Sequence, residues 1–350
     1  MTEKTERKSS GFGGAVDWRL AARTGALLAP PGPKVTRDVA EQVVAELASA
    51  SVLAELPVRE VSGLLDDRPV PEALIVDRPG WIAAATDSMS VLTRTESTEG
   101  RGLVGKPAGV QVGTMLAFLS SAILGQYDPF NGEDGTLLLV APNILGVERA
   151  LGVDPSDFRL WVCLHEVTHR VQFSSAPWLS GYMRDNVDLL GEMGEEPMSE
   201  LLARLLGEVR NRRNGGDPNT QGVIGLLRAA QAPPQREALD RLLMLGTLLE
   251  GHADHVMDAV GPAVVPTVAD IRAAFDRRRK RPTNPIQRLL RALLGVDVKV
   301  AQYVRGKKFV DAVVDRVGVT EFNAIWTNPE TLPLLDEIDE PEKWIRRVLG

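Results

Sequence analysis

The stretch Asp154-Pro155-Ser156-Asp157-Phe158-Arg159-Leu160-Trp161-Val162-Cys163-Leu164-His165-Glu166-Val167-Thr168-His169 holds two of the chain's four histidines. Asp154 or Ser156 supplies the cap of a helix, and the run ends in the pattern H-E-x-x-H. At about 100° per residue, His165 and His169 project within roughly 40° of each other, one turn apart, so both imidazoles can meet one ion. Glu166 is displaced by one residue and reaches past that ion, which is the place for a base acting on ion-bound water. Zn²⁺ lowers the pKa of such a water to about 7. Glu166 can take its proton and later give it to a leaving amine. Phe158, Trp161 and Val162 share the helix face. Two imidazoles in that apolar company are either metal ligands or hydrogen-bonded core residues.

The other two histidines lie in Glu250-Gly251-His252-Ala253-Asp254-His255. A chain that concentrates every histidine in two short motifs is building a metal site. A catalytic zinc site takes three protein ligands and keeps one position open. Glu250 and Asp254 are four apart and share a helical face, whereas His252 lies about 200° and His255 about 140° from Glu250. The Glu250 face also carries Leu243, Gly246, Ala253 and Met257. It reads as a core face, where a carboxylate is costly unless paired or bound to metal. The His252 side carries Arg241, Leu245 and Leu248 and reads as wetter. This favours Glu250 over His252 as the third ligand and leaves Asp254 to orient the far ring nitrogen of His165 or His169. His252 and His255 remain candidates for polarising a substrate carbonyl, against the plainer reading of surface or partly buried histidine. An H-E-x-x-H-x-x-G-x-x-H site is excluded because positions 172 and 175 are Gln172 and Ser175. The third ligand must come from distant sequence.

Composition narrows the remaining classes. The 350 residues carry a net charge of -7, which opposes non-specific nucleic-acid binding. The basic run Arg277 to Arg281 reads as a solvated helix end suited to the helix dipole. A single cysteine, Cys163, rules out an internal disulfide and fits a reducing, cytoplasmic setting. It reads as a buried, inert thiol. The N-terminus lacks the apolar core of a secretory signal, so residues 1–15 are expected to form a disordered tail. No charge occurs between Lys106 and Asp128. Polar residues and glycines interrupt that segment, so a buried helix is expected rather than a membrane span. There is no P-loop, dinucleotide fingerprint or serine elbow. Tyr303, near Arg305 and Lys307, is a candidate oxyanion donor, against simple packing. Trp161 and Trp178 read as core and pocket wall.

The pattern is mainly helical. Helices are expected over Asp17 to Leu28, from a Thr36 cap to about Leu56 where Pro57 stops it, and from Pro79 to Leu92. Further ones are expected over Val110 to Leu124, Met198 to Arg210, Arg236 to Val260, Thr267 to Arg279, Ile286 to Leu294 and Val300 to Val317. Thr136 to Val140 is the best strand candidate, an apolar run bounded by Gly135 and Pro142. The polar stretches 93–107 and 213–220 read as loops, and 336–342 as an acidic surface loop before a last short helix. The fold class is thus mainly α with a small β-sheet, α+β. The expected organisation is one catalytic unit over 16–350, in which 176–240 forms a lid or helical subdomain.

HEVTH followed far downstream by Glu250-x-x-x-Asp254 resembles the gluzincin branch of zinc metallopeptidases. More specifically, the chain is similar to a zincin-like family of actinobacterial hydrolases, a former domain of unknown function with a subgroup associated with coenzyme F420 biosynthesis. The segments that carry the resemblance are Asp77-Arg78-Pro79-Gly80-Trp81, the HEVTH helix through Phe173, Pro177-Trp178-Leu179, and Leu249-Glu250-Gly251-His252. Gln302-Tyr303 with Gly306 and Phe309, and Trp326, Asn328-Pro329-Glu330 and Leu332-Pro333, also fit. The resemblance implies a zincin-like metallopeptidase fold with bound Zn²⁺, His165, His169 and Glu250 as ligands and Glu166 as base. The expected substrate, a peptide or small amide, follows from the H-E-x-x-H motif, and the resemblance adds little to it. Two other classes stay open: a zinc-stabilised scaffold or interaction protein without turnover, and a metal hydrolase of a small molecule. Glu250 follows His169 by 81 positions, a longer interval than in peptidase gluzincins, which leaves room for an insertion.

Overall fold

The computed structural model describes residues 16–65, 71–93, 105–132, 134–191, 233–280 and 296–350. The expected tail over 1–15, most of the expected lid, the helices at Met198 to Arg210 and Ile286 to Leu294, and the loop at 213–220 lie outside these residues. So do most of the 93–107 loop and the Tyr303 side chain.

The apolar run behaves as its composition dictates. Leu137, Leu138, Leu139 and Val140 of strand β3 (Thr136–Val140) are all buried, as befits a strand covered on both faces. Strand β1 (Leu74–Val76) pairs with it in parallel, Leu74 opposite Leu138. Strand β2 (Gly125–Asp128) pairs antiparallel, Gly125 opposite Leu139. The order β1-β3-β2 makes β2 an edge strand. Because successive side chains point to opposite faces, β3 splits the interior in two. Leu138 and Val140 join Trp81, Ile82 and Leu116 from helices α4 (Arg78–Leu92) and α5 (Lys106–Leu119). Leu137 and Leu139 face the larger core, which contains the H-E-x-x-H helix.

The smaller layer is completed by α1 (Trp18–Leu28), capped by the Asp17 side chain through the amide of Leu20. It crosses α5 where Gly109 and Gly113 come against the α1 backbone and Gly25 faces back toward Gly113. A side chain at any of the three would collide with its neighbour, so the glycines of the uncharged segment are packing residues. Its outer face stays exposed at Val110, Met115 and Phe118. Among the described residues no helix is long and apolar enough to cross a membrane. The Asp77 to Trp81 segment is an anchor. Asp77 caps α4 through Gly80 N, Arg78 donates to Asn143 and to the carbonyls of Pro30 and Pro31, and the Trp81 indole donates to Gln126 of β2.

The larger layer surrounds α7 (Pro155–Ser175), which follows α6 (Ala141–Leu151). Of the two candidate caps, Asp154 accepts from Asp157 N, and Pro155 starts the helix. Packed against or around it are α2 (Arg37–Leu53), α3 (Glu55–Ser62), α8 (Trp178–Gly191), α9 (Pro233–Val260) and α10 (Val268–Lys280). Then come α11 (Val296–Val317), the single turn α12 (Val319–Phe322) and the final α13 (Pro341–Val348). Two buried arginines of this interior are paired with carboxylates. Arg159 forks onto Glu148 and also meets Glu46, and Arg170 meets Glu55.

One local expectation changes, and the structure adds elements that the sequence did not mark. Pro57 does not end helical structure; it lies in the first turn of α3, where a missing N–H leaves nothing unsatisfied. The strand ending at Val140 runs directly into α6, with Pro142 in that helix's first turn. The segment after Pro177 forms α8. Strands β1 and β2 are three and four residues long, too short for an alternation to register in sequence.

Candidate metal centre

Two helices and the edge strand build the site. His165 and His169 stand on the same face of α7, and α9 crosses that face with Glu250. The three donors, His165 Nε2, His169 Nε2 and a Glu250 carboxylate oxygen, lie within 4.8 Å of one another. The two Nε2 atoms are 3.3 Å apart, and Glu250 Oε2 is 3.3 Å from His165 Nε2 and 4.0 Å from His169 Nε2. Tetrahedral coordination with bonds of about 2.0–2.1 Å puts ligand atoms about 3.3–3.4 Å apart, so two of the three edges already match. Each of the three side chains is partly exposed, which leaves a side open for a fourth ligand. Among the described residues this is the one cluster of three or more His, Cys, Asp or Glu that could hold a metal ion.

The electrostatics point the same way. Burial would push His165 down, but its hydrogen bond to Glu250 and the charges of Glu250, Glu166 and Asp254 hold it up at about 9. The site draws positive charge strongly enough to keep a proton there. His169 is pushed down, chiefly by burial. Glu166 is buried at 7% exposure. Desolvation, aided by Glu250, raises it to about 7 against the opposing pull of His165. Its carboxylate lies directly over the backbone of Gly125 in β2. A methyl group built on Gly125 would stand 2.6 Å from Glu166 Cγ and 3.0 Å from Oε1. The glycine is therefore required by close approach, and it puts the carboxylate between the ligand helix and the edge strand.

The far ring nitrogens have other partners than the one expected. His169 Nδ1 donates to Gln172 Oε1 at 2.9 Å, and His165 Nδ1 meets Met257 Sδ at 3.3 Å. Asp254 acts on His165 only through its charge and sits 3.9 Å from Arg272. Gln172 entered the sequence reading only to exclude a different ligand pattern. Its place one turn beyond His169 is the signal that could have found it.

The histidines of the second motif lie apart from the donor cluster. His252 is 2% exposed, on the far side of Gln172, whose Nε2 donates to its Nδ1 at 2.9 Å. Its ring stacks on Phe322 and meets Trp326 edge-on. Burial, with smaller effects from His255 and His169, pushes it down to about 3. The expected role of His252 at a substrate carbonyl is corrected on this ground: a ring sealed from solvent has no path to one. The burial argument that ranked the two α9 faces is also inverted, since the His252 face is the dry one and Glu250 is 29% exposed. His255 pairs with Asp311 at 2.8 Å, and Lys307 bridges Asp311 and Asp258. Burial raises the Cys163 thiol well above its usual range, so it stays protonated. Trp161 packs with Phe158 and Phe275, and the Trp178 indole donates to the Trp326 carbonyl.

The sequence profile of the zincin-like metallopeptidase family matches residues 16–345. A solved structure from Chloroflexus aurantiacus, described as that of a candidate hydrolase with a novel fold, shares 30% identity and a TM-score of 0.66. The match covers 95% of this chain and 98% of that one. No curated protein matches the chain.

Proposed function

The chain belongs to the zincin-like metallopeptidase family, and from that premise we propose that it is a zinc-dependent hydrolase of peptide or small amide bonds. The observation that carries the reading is the convergence of His165, His169 and Glu250 from two helices, with the buried carboxylate of Glu166 beside them. These three residues would hold the ion, and the two ring lone pairs and one carboxylate match the borderline character of zinc. When bound, zinc supplies a Lewis acid and a nucleophile available at neutral pH.

The remaining work falls to the protein's own groups. Glu166 Oε accepts a proton from the attacking water and delivers it to the nitrogen of the leaving amine. Burial, which disfavours the charged carboxylate, helps it hold a proton between the two halves of that transfer. Its burial against Gly125 limits competing water and holds the carboxylate in one place. An extended peptide can add to β2 as a further strand, with main-chain hydrogen bonds aligning an amide beside Glu166. That edge favours a peptide over a compact small molecule. The resemblance to the subgroup associated with coenzyme F420 biosynthesis supports a small amide as the other substrate class.

The test combines metal analysis with a library of quenched fluorescent peptides. We expect one zinc per chain, and E166Q should keep that zinc while lowering hydrolysis by about 10²–10⁴-fold. A wild-type protein without stoichiometric zinc would overturn the reading. Zinc binding with no cleavage of any peptide would favour a zinc-stabilised scaffold.

A further inference from the structure

Gln172 is fully sealed from solvent, and its amide is fully engaged. Oε1 accepts from His169 Nδ1 at 2.9 Å, while Nε2 donates to the Leu249 carbonyl at 2.9 Å and to His252 Nδ1 at 2.9 Å. One amide therefore ties the end of the ligand helix to the turn of α9 that carries Glu250.

The two donor bonds decide which way round the amide sits. Turned over, its oxygen would face the Leu249 carbonyl, and two acceptors would meet in a dry interior. With the amide oriented, Oε1 can only accept. His169 must then carry its proton on Nδ1 and present the Nε2 lone pair to the donor cluster. By the same logic His252 accepts at Nδ1 and carries its proton on Nε2. Its ring cannot swing away, because Phe322 and Trp326 hold it at centroid separations of 5.6 and 5.2 Å. His165 has no comparable brace: a thioether sulfur at 3.3 Å is a weak acceptor.

We propose that Gln172, backed by His252, is the positioning residue of the metal centre. It selects the tautomer and rotation of His169 and fixes the spacing between α7 and Glu250. The inference rests on the metal-site reading of His165, His169 and Glu250. It explains a buried histidine in a ligand motif that contributes no ligand. The position needs one acceptor and two donors at the same reach, which glutamate lacks and asparagine is too short to supply.

The experiment uses the full chain as wild type, Q172M, H252F and the double variant. The first readout needs no metal. Ring ¹⁵N–¹H correlation spectra of chelator-treated protein at pH 8 report the tautomer of the neutral histidines, His169 and His252 among them. His169 should be the Nδ1–H form in wild type and shift toward Nε2–H in Q172M. The second readout is zinc affinity, by competition with a chromophoric chelator. Q172M should bind zinc about 10- to 100-fold more weakly. H252F should bind several-fold more weakly, and should add nothing in the Q172M background. An unchanged tautomer and unchanged affinity in Q172M would overturn the inference. If Q172M does not fold, H252F keeps the aromatic stack and carries the test under the same criteria. Wild-type protein that binds no zinc would sink the functional reading. Zinc binding by wild type and Q172M alike would sink only this one.

Discussion

Glu166 owes its environment to a residue that has no side chain. Gly125 brings the β2 backbone against the carboxylate closely enough that a methyl group would stand 2.8 Å from Glu166 Cδ. We expect G125A to displace the carboxylate while leaving His165, His169 and Glu250 in place. The measurable outcome is a fall of about 10²-fold in kcat, the usual scale for a misplacement of about 1 Å, with zinc content unchanged. A G125A enzyme with wild-type kcat would show that the contact does not position Glu166. His252 offers a second test at this scale. Unfolded, its imidazole titrates near about 6.5, and folded it stays neutral down to about 3. Between these values the unfolded chain binds the extra proton. The stability that goes with the neutral ring is therefore present above about 6.5 and is lost as pH falls toward 3. In chelator-treated protein, the difference in urea midpoint between wild type and H252F should shift against wild type from pH 7.5 to pH 4.5. A pH-independent difference would refute the assignment.

The helix pair α9 and α11 places Glu250. They touch backbone to backbone: a Cβ on Gly251 would collide with Gly306 and Lys307 N, and one on Gly306 with the Thr247 carbonyl. Glu250 is the neighbour of Gly251, so the depth of this crossing sets how far its carboxylate reaches toward α7. Replacing Gly306 by alanine forces the helices apart. Overpacking of this kind costs about 1–3 kcal/mol, visible as a lower denaturant midpoint. The same displacement should weaken zinc binding, so G306A is expected to lose both together. Loss of stability with zinc affinity intact would separate the crossing from the site. The partly exposed network of Asp258, His255, Lys307 and Asp311 ties the same helices together beyond the crossing, and Arg272 joins α10 to it through Asp258.

Across the whole molecule, the small sheet divides the interior while α7 organises its larger half. The edge strand, the ligand helix and the Glu250 helix meet at one place because the period-two alternation of β3 assigns Leu138 and Val140 to one layer and Leu137 and Leu139 to the other. Donors drawn from α7 and α9 make a bound ion a cross-link between elements 81 positions apart in sequence. Metal binding to the folded form alone stabilises it by about 2.7 kcal/mol when free zinc is 100-fold above Kd. Chelation should therefore lower the melting temperature by several degrees in wild type and leave a His165→Ala variant unmoved. Equal shifts in both would mean that the chelator acts elsewhere.

Some of this was written in the chain itself. The spacing of His165, Glu166 and His169 follows from helix geometry and needs no partner. The cap at Thr36, the cap offered by Asp154, and the strand at Thr136 to Val140 follow from local chemistry. Helical angles could also separate Glu250 from His252, because they depend only on residue number. Which of the two faces is dry could not be read that way. That depends on Phe322 and Trp326 arriving from the C-terminal turns to cover His252, and on α9 leaving Glu250 partly exposed. Strands β1 and β2 were likewise illegible, since their conformation comes from pairing with β3 rather than from their own residues. Gln172 and Gly125 acquire their roles only when distant segments come within hydrogen-bond or van der Waals reach. The sequence by itself determined the H-E-x-x-H helix and the shared facing of His165 and His169. The tertiary structure decided what surrounds it, because burial and contact are properties of the packed chain and local spacing does not encode them.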